Sequence, residues 1–124
     1  MRRLDGEQVL VRIFIGESDK WHHQPLHLAL LERFRKEGFA GATVFRGVGG
    51  FGARSVLHTT HILRLSEDLP VLLELVDSAA EVERLVPILD EMVSEGLVTM
   101  EKVRVLKYSP GVRPQQPPSA SSRE

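Results

Sequence analysis

The chain has 124 residues, with 16 Lys and Arg against 17 Asp and Glu, so its formal net charge is −1. This length predicts one domain with a single core, and the balanced charge gives no general electrostatic reason to bind nucleic acid or an anionic membrane. The absence of cysteine excludes disulfides and thiol chemistry and is consistent with a reducing compartment. No apolar run approaches the ~18 residues that span a bilayer, so we predict a cytoplasmic protein without direct membrane insertion.

The first part of the chain predicts a strand, a helix and a second strand. Apolar side chains alternate between positions 9 and 15, which is typical of a strand, and residues 42–45 predict another short strand. Pro25 suits the first position of a helix because its missing N–H is not needed there, and Gly38 suits the end of that helix. The predicted buried stripe recurs every three or four residues and consists of Leu26, Ala29, Leu30 and Phe34.

The second part repeats the order strand, helix, strand. Residues 71–76 form a nearly continuous apolar run, and Ser78 with Glu81 has the spacing of a capping box, so a helix is expected from there to Gly96. Residues 98–105 predict the last strand, with a bulge near 101–102 because the apolar alternation shifts there by one residue. The predicted buried stripe of the second helix consists of Val82, Leu85, Val86, Leu89 and Val93.

The order βαββαβ predicts an α+β, ferredoxin-like fold: a four-stranded antiparallel sheet with both helices on one face. The opposite face, called here the helix-free face, would be half apolar and too large to leave in water. Either copies of the chain assemble through it, or the C-terminal segment or the 46–68 loop covers it. Its predicted members are Leu10, Arg12, Phe14, Thr43 or Phe45, Leu72 and Val76.

The last sixteen residues differ in composition from the rest of the chain. Residues 109–124 hold four of the seven prolines and four serines, with few apolar side chains. Such a segment buries too little apolar surface to offset its loss of conformational entropy. We therefore predict a folded domain over residues 7–108 and a disordered Pro/Ser-rich tail over 109–124.

A glycine-rich loop, residues 46–54, is the strongest candidate binding site. Four of the six residues at 47–52 are glycine, and glycine lets backbone N–H groups approach a phosphate closely. Arg46 and Arg54 flank this stretch and could each pair with a phosphate group. The loop lacks the Gly-Lys-Ser/Thr ending of a nucleotide-binding P-loop, and no helical pattern follows it. A flexible surface loop without a ligand is the alternative.

Two groups of histidines provide a second hypothesis, a site for a divalent metal ion. His22 and His23 are adjacent, and His27 follows His23 by one helical turn if both are helical. His58 and His61 form the other group. Neither group has a carboxylate in a recognisable ligand pattern, so solvated or hydrogen-bonded histidines are the simpler interpretation. No set of residues with the spacing of a catalytic centre is present, and a small enzyme is a further alternative only.

Several separated segments together resemble a known family. These segments are 16–19 (GESD), 22–23, 25–26, 41–44 (GATV), 47–52, 58–59, 65–70 (LSEDLP) and 95–99 (EGLVT). Through them the chain resembles, from Val11 to Tyr108, the uncharacterised PII-like proteins of the domain of unknown function 190, relatives of the nitrogen-regulatory PII proteins.

The resemblance implies a homotrimer whose helix-free faces turn toward the three-fold axis. It also implies a non-enzymatic signalling protein that binds an adenine nucleotide (AMP, ADP or ATP) in the clefts between subunits, and a protein partner that contacts the 46–60 loop. The only tyrosine, Tyr108, lies outside that loop, so uridylylation of a loop tyrosine is excluded. The positions that match the nucleotide site are Arg46, Gly47, Gly49, Gly50, Phe51, Gly52 and Arg54.

Overall fold

A computed structural model describes residues 4–52 and 68–111 of the chain. Its strands and helices are β1 (Gly6–Gly16), β2 (Lys20–Trp21), β3 (Gln24–Pro25), α1 (Leu26–Lys36), β4 (Thr43–Arg46), β5 (Pro70–Asp77), α2 (Ala79–Met92) and β6 (Leu97–Val105). Four strands form an antiparallel sheet in the order β4-β5-β1-β6, while β2 and β3 form a separate small hairpin. The predicted ferredoxin-like α+β fold is confirmed, and the hairpin is an addition that the sequence pattern did not indicate.

The two helices pack on the same face of the sheet. In the sheet register, Val11 lies opposite Leu75 and Ile13 lies opposite Leu73, and opposite residues in an antiparallel pair share a face. These side chains are at most 3% exposed. They form one hydrophobic cluster with buried residues of both helices: Leu26, Ala29, Leu30, Phe34, Val82, Leu85, Ile88, Leu89 and Met92.

Helix α1 follows its sequence pattern closely. All four residues of the predicted stripe are buried. Gly38 has a φ of +88°, its amide donates to Arg35 O at 3.2 Å, and the amide of Phe39 donates to Phe34 O at 3.1 Å. This is the Schellman arrangement, in which a left-handed glycine ends the helix and the next apolar residue packs back on it. The rings of Phe34 and Phe39 meet edge to face, with centroids 6.0 Å apart.

Helix α2 begins as predicted but buries a different arc of its surface. The Ser78 hydroxyl accepts a hydrogen bond from the Glu81 amide at 3.2 Å. The Glu81 carboxylate pairs with Arg84 instead of closing the capping box, and the Ser78 amide donates to Asp77 Oδ1 at 2.8 Å. Val86, which was predicted to be buried, is 49% exposed. The helix ends at Met92 rather than at Gly96, and the residues that the pattern missed are Ile88 and Met92.

The predicted bulge in the last strand is wrong. The pairing of β1 with β6 runs without interruption from Gly6↔Val105 to Phe14↔Leu97. Val98 and Met100 share the side of the sheet that carries the helices but are 41% and 66% exposed. The shift in apolar alternation therefore reflects the position of β6 at the edge of the sheet. There the side chains on the helix side of the sheet are not covered by the helices.

The helix-free face is covered at one end and exposed at the other. Leu10 is only 9% exposed, and at the same end Leu4 is 3% exposed. Leu4 and Tyr108 line a cleft with Val76 and Val105, so the segments that flank β1 and β6 cover this end. At the other end Phe14 is 38% exposed and Phe45 is 47% exposed. Within the described residues, the C-terminal segment covers only one end of this face.

Some predictions fall on residues that the structure does not describe. These are Arg54, His58 and His61 in the segment 53–67, and residues 112–124 of the predicted tail. Neither helix in the described ranges is long and apolar enough to cross a membrane.

Candidate functional site

Three segments meet at the end of the sheet where the glycine-rich loop begins. In the sheet register Gly16, the last residue of β1, lies opposite Pro70, the first residue of β5. Arg46, the last residue of β4, lies opposite Val71. The antiparallel order β4-β5-β1 therefore brings together residues 16–19, 46–47 and 68–70, which we call the loop base.

The turn after β1 is fixed to the segment that leads into β5. The amide of Ser18 donates to Asp68 Oδ1 at 2.8 Å, and the amide of Glu17 donates to Leu69 O at 2.9 Å. Within the turn, the amide of Gly16 donates to Asp19 Oδ2 at 3.0 Å. Three backbone N–H groups are thus satisfied by two carboxylates and one carbonyl, and this network holds the turn in place.

Gly47 is tied to β5 by a direct backbone contact. Its amide donates to Pro70 O at 2.7 Å. A Cβ atom on Gly47 would lie 2.7 Å from Cγ of Pro70, and one on Gly50 would lie 3.2 Å from the same atom. The loop therefore packs its first glycines against the proline ring, and a side chain at Gly47 would not fit without displacing that ring. The N–H of Gly47 already donates to Pro70 O, so it is not offered to a ligand. Gly47 instead allows the loop to lie close to the Pro70 ring.

Arg46 carries the positive charge of the loop base. Its guanidinium Nη2 contacts the Glu17 carboxylate Oε2 as an ion pair. The Arg46 side chain is 64% exposed, whereas that of Glu17 is 24% exposed. Glu17 thus connects the start of the loop, through its side chain, with the end of the loop, through its amide on Leu69.

Most of the remaining described residues of the predicted nucleotide-binding stretch are exposed, whereas Gly50, which packs on Pro70, is half-buried. Phe51 is 75% exposed and Val48 is 73% exposed. Gly49 and Gly52 are also exposed, and Arg54 lies outside the described residues. A ligand or another chain that packs against these apolar side chains would remove apolar surface from water.

An apolar cleft of the protomer lies away from this loop. It has a volume of about 360 Å³ and opens at the opposite end of β4 and β5, by Thr43 and Val76. Its walls are mostly apolar, with the Glu74 carboxylate and the Tyr108 ring at its border. This cleft is therefore separate from the glycine-rich loop.

The histidines predicted as metal ligands are placed apart. His22 and His23 form the tip of the β2–β3 hairpin, with φ values of 47° and 72°. Helix α1 starts at Leu26, so His23 is not helical and does not share a helix face with His27. In residues 4–52 and 68–111, no three His, Cys, Asp or Glu side chains come together in a way that could hold a metal ion.

A charged group sits in the middle of the helix-free face. Arg12 Nε donates to Glu74 Oε2 at 2.9 Å, and its Nη1 lies 3.5 Å from Glu101 Oε1. The hydrogen bond to Glu74, followed by the charges of both carboxylates, raises the pKa of Arg12 above its ordinary value against the opposing effect of burial. The exposed apolar end of this face thus borders an ion cluster that is paired within the protomer.

Sequence reasoning named Arg46 and the glycines but missed their supports, Glu17, Asp68 and Pro70. The segments that contain them were noticed only as parts of a family resemblance. The order of the strands in the sheet could have identified these residues. If β1 and β4 both flank β5, then the end of β1, the end of β4 and the start of β5 must be neighbours.

Two solved structures have the same fold. CPII bound to ADP and bicarbonate, from Thiomonas intermedia K12, aligns with a TM-score of 0.59 at 14% identity, over 82% of this chain and 90% of that chain. A protein assigned to PII-like signaling, from Thermus thermophilus, aligns with a TM-score of 0.57 at 21% identity, over 82% and 91%. At these identities the likeness shows a PII-like fold and no more.

Sequence relatives are closer. A UPF0166 protein of Aquifex aeolicus is 34% identical over 99 residues, which are 78% of this chain and 91% of the relative. One of Methanocaldococcus jannaschii is 33% identical over 99 residues, which are 79% and 91%. The profile of DUF190, described as "Uncharacterized ACR", matches residues 8–105. The chain therefore belongs to the DUF190 (UPF0166) family of uncharacterised proteins.

Proposed function

We propose that this protein is a non-enzymatic PII-like regulator that binds an adenine nucleotide at clefts between the subunits of a homotrimer. The observation that carries the proposal is the loop base, where Arg46 stands exposed beside a glycine loop anchored on Pro70. A fold neighbour bound to ADP supports the ligand class. Binding would change the order of the 46–60 loop and so its contact with a protein partner.

The trimer would place a second subunit beside the loop, whose residues Val48 and Phe51 are exposed in the protomer. The exposed end of the helix-free face, with Phe14 and Phe45, lies on the strands that end at the loop base. Packing this end against other copies would remove apolar surface from water and bring a second subunit next to the loop. The cleft between subunits would then supply the walls that a nucleotide needs.

Within that cleft a few groups would bind the nucleotide. Arg46 would pair with a phosphate group in a bidentate manner, and the backbone of 48–52 would supply N–H donors. Phe51 would gain cover from the base or from the neighbouring subunit. Gly49 and Gly50 would allow the backbone to approach the phosphates, and Arg54, the last member of the predicted set, would add a second cation.

Isothermal calorimetry with AMP, ADP, ATP and cyclic nucleotides tests the proposal. At least one of them should bind, and Arg46→Gln should weaken that binding by about tenfold because a charge-assisted hydrogen bond is lost. Arg35→Gln, which removes the same charge from an exposed position of α1, is the matched control and should leave binding unchanged. If no nucleotide binds at millimolar concentration, the nucleotide part of the proposal is rejected.

A further inference from the structure

The Arg46 guanidinium, which would bind a phosphate, already forms an ion pair within the protomer. Arg46 pairs with the Glu17 carboxylate. The backbone of Glu17 is fixed because its amide donates to Leu69 O at 2.9 Å. The Glu17 side chain is 24% exposed, and the turn that carries it is bound to Asp68 through the Ser18 amide. A phosphate that approaches Arg46 must therefore replace the Glu17 carboxylate as the partner of the guanidinium.

We infer that Glu17 competes with the ligand for Arg46: its carboxylate pairs with the guanidinium until a phosphate group of higher charge replaces it. The inference rests on the proposed nucleotide site and deepens it. A carboxylate carries one negative charge, whereas a terminal phosphate carries close to two and offers three oxygens to the guanidinium fork. A phosphate can therefore replace the carboxylate, but its affinity is lower than it would be for an unpaired Arg46.

Exposure makes this exchange feasible. An ion pair between exposed side chains is screened by water and is worth little, and Arg46 is 64% exposed. The Glu17 carboxylate nevertheless stays close to any phosphate that displaces it, because its backbone is fixed, and like charges then repel. Competition for Arg46 and this repulsion both reduce the affinity for the phosphate-bearing ligand.

The test is a double-mutant cycle on the intact protein, with ADP as the probe and calorimetry as the readout. Glu17→Gln keeps the shape and the amide that donates to Leu69 but removes the charge. It should tighten ADP binding by about 2- to 5-fold, the range expected for a weak exposed ion pair. In the Arg46→Gln background the same change should have a clearly smaller effect, because there is no guanidinium left to release. Glu83→Gln, an exposed carboxylate of α2, is the matched control and should have no effect.

The outcomes separate the inference from the proposed function. If the wild type binds ADP and Glu17→Gln binds it equally or more weakly, Glu17 does not compete and the inference is wrong while the nucleotide site stands. If Glu17→Gln tightens binding to the same extent with and without Arg46, the effect is general repulsion and the inference is again wrong. If neither the wild type nor Glu17→Gln binds ADP, the proposed site itself fails and the inference falls with it.

Discussion

A Cβ atom on Gly16 would lie 2.7 Å from Oδ1 of Asp68, the same oxygen that accepts a hydrogen bond from the Ser18 amide. This contact joins the end of β1 to the residue that leads into β5. Neither partner can change without disturbing the other, because the carboxylate has to move to admit a methyl group and its bond to the turn is then lost.

Gly16→Ala should therefore destabilise the protein. We expect the free energy of unfolding to fall by about 1–2 kcal/mol, the cost of one lost hydrogen bond to a charged acceptor and its accompanying strain. Urea unfolding measures it. Gly41→Ala is the matched control, because a Cβ at Gly41 meets nothing within 4 Å; it should change stability by no more than about 0.5 kcal/mol. Coincident unfolding curves for the two variants would contradict the role of the Gly16–Asp68 contact.

The helix-free face makes a second prediction, which concerns assembly. Phe14 and Phe45 lie opposite the same residue, Leu72, so the three form one apolar patch across β1, β5 and β4. Phe45→Asp would place an unpaired carboxylate in the proposed interface, at a cost of about 3 kcal/mol or more for each buried charge. Sedimentation equilibrium should show a trimer for the wild type and a protomer for Phe45→Asp.

The control for this experiment is a residue of similar exposure on the other side of the molecule. Val86 on α2 is 49% exposed, close to the 47% of Phe45. Val86→Asp should leave both the trimer and the stability unchanged. A wild type that sediments as a protomer across micromolar dilutions would remove the assembly, and with it the clefts between subunits.

Local patterns predicted the elements of the fold well, and tertiary placement explains what they missed. The stripe of α1 and its glycine end depend on residues within one or two turns, so periodicity was sufficient. In α2, Val86 and Ile88 both lie beside the stripe that Val82 and Leu85 begin. Which of them is buried depends on how the helix sits on the sheet, and no pattern within the helix contains that information.

The loop base was only half predictable for a related reason. Arg46 and the glycines stand out in the sequence because their composition is unusual. Glu17 lies 29 positions earlier than Arg46 in an ordinary polar turn, and only the strand order brings the two together. The same holds for Pro70, whose contact with Gly47 follows from the β4–β5 pairing.

A third prediction concerns pH and the contact between the helices. Arg33 Nε donates to Glu37 Oε2 at 3.0 Å, and Arg33 also lies 3.4 Å from Glu91 of α2. The hydrogen bond from Arg33, with a smaller contribution from Arg84, lowers the pKa of Glu37 below its ordinary value despite the opposing effect of burial. A carboxyl whose pKa is lower in the folded state contributes stability that is present above the pKa of unfolded glutamate and is lost as the pH falls through the folded value.

Glu37→Gln should therefore lower the melting temperature slightly at pH 7, and the difference from the wild type should shrink as the pH falls below the ordinary glutamate pKa. The effect is small because water screens this exposed pair. Thermal unfolding at pH 7 and pH 3 measures it. Glu32→Gln, which removes a carboxylate from the exposed side of α1, is the matched control. A gap for Glu37→Gln that stays constant between the two pH values would show that the charge is not the cause.

The last prediction concerns the hairpin tip, where two consecutive residues other than glycine have positive φ. His22 and His23 occupy the two-residue turn between β2 and β3, with φ values of 47° and 72°. Positive φ at both central positions is the mark of a type I′ turn, which favours Asn followed by Gly. A left-handed residue with a Cβ costs about 1–2 kcal/mol. The ring of His22 stacks on Trp21 with centroids 4.2 Å apart, and a substitution of His22 would lose this contact. His23 is therefore the position at which glycine should relieve backbone strain.

His23→Gly should stabilise the protein by about 0.5–1 kcal/mol, because the relief of strain exceeds the entropy that glycine adds to the unfolded chain. Urea unfolding followed by the emission of Trp21, the only tryptophan, measures the change and reports on the hairpin itself. Glu32→Gly, at an exposed position within α1, is the control and should destabilise by about 1 kcal/mol. If His23→Gly also destabilises, the imidazole of His23 makes a contact that outweighs the strain, and the turn is better matched to histidine than its φ value indicates.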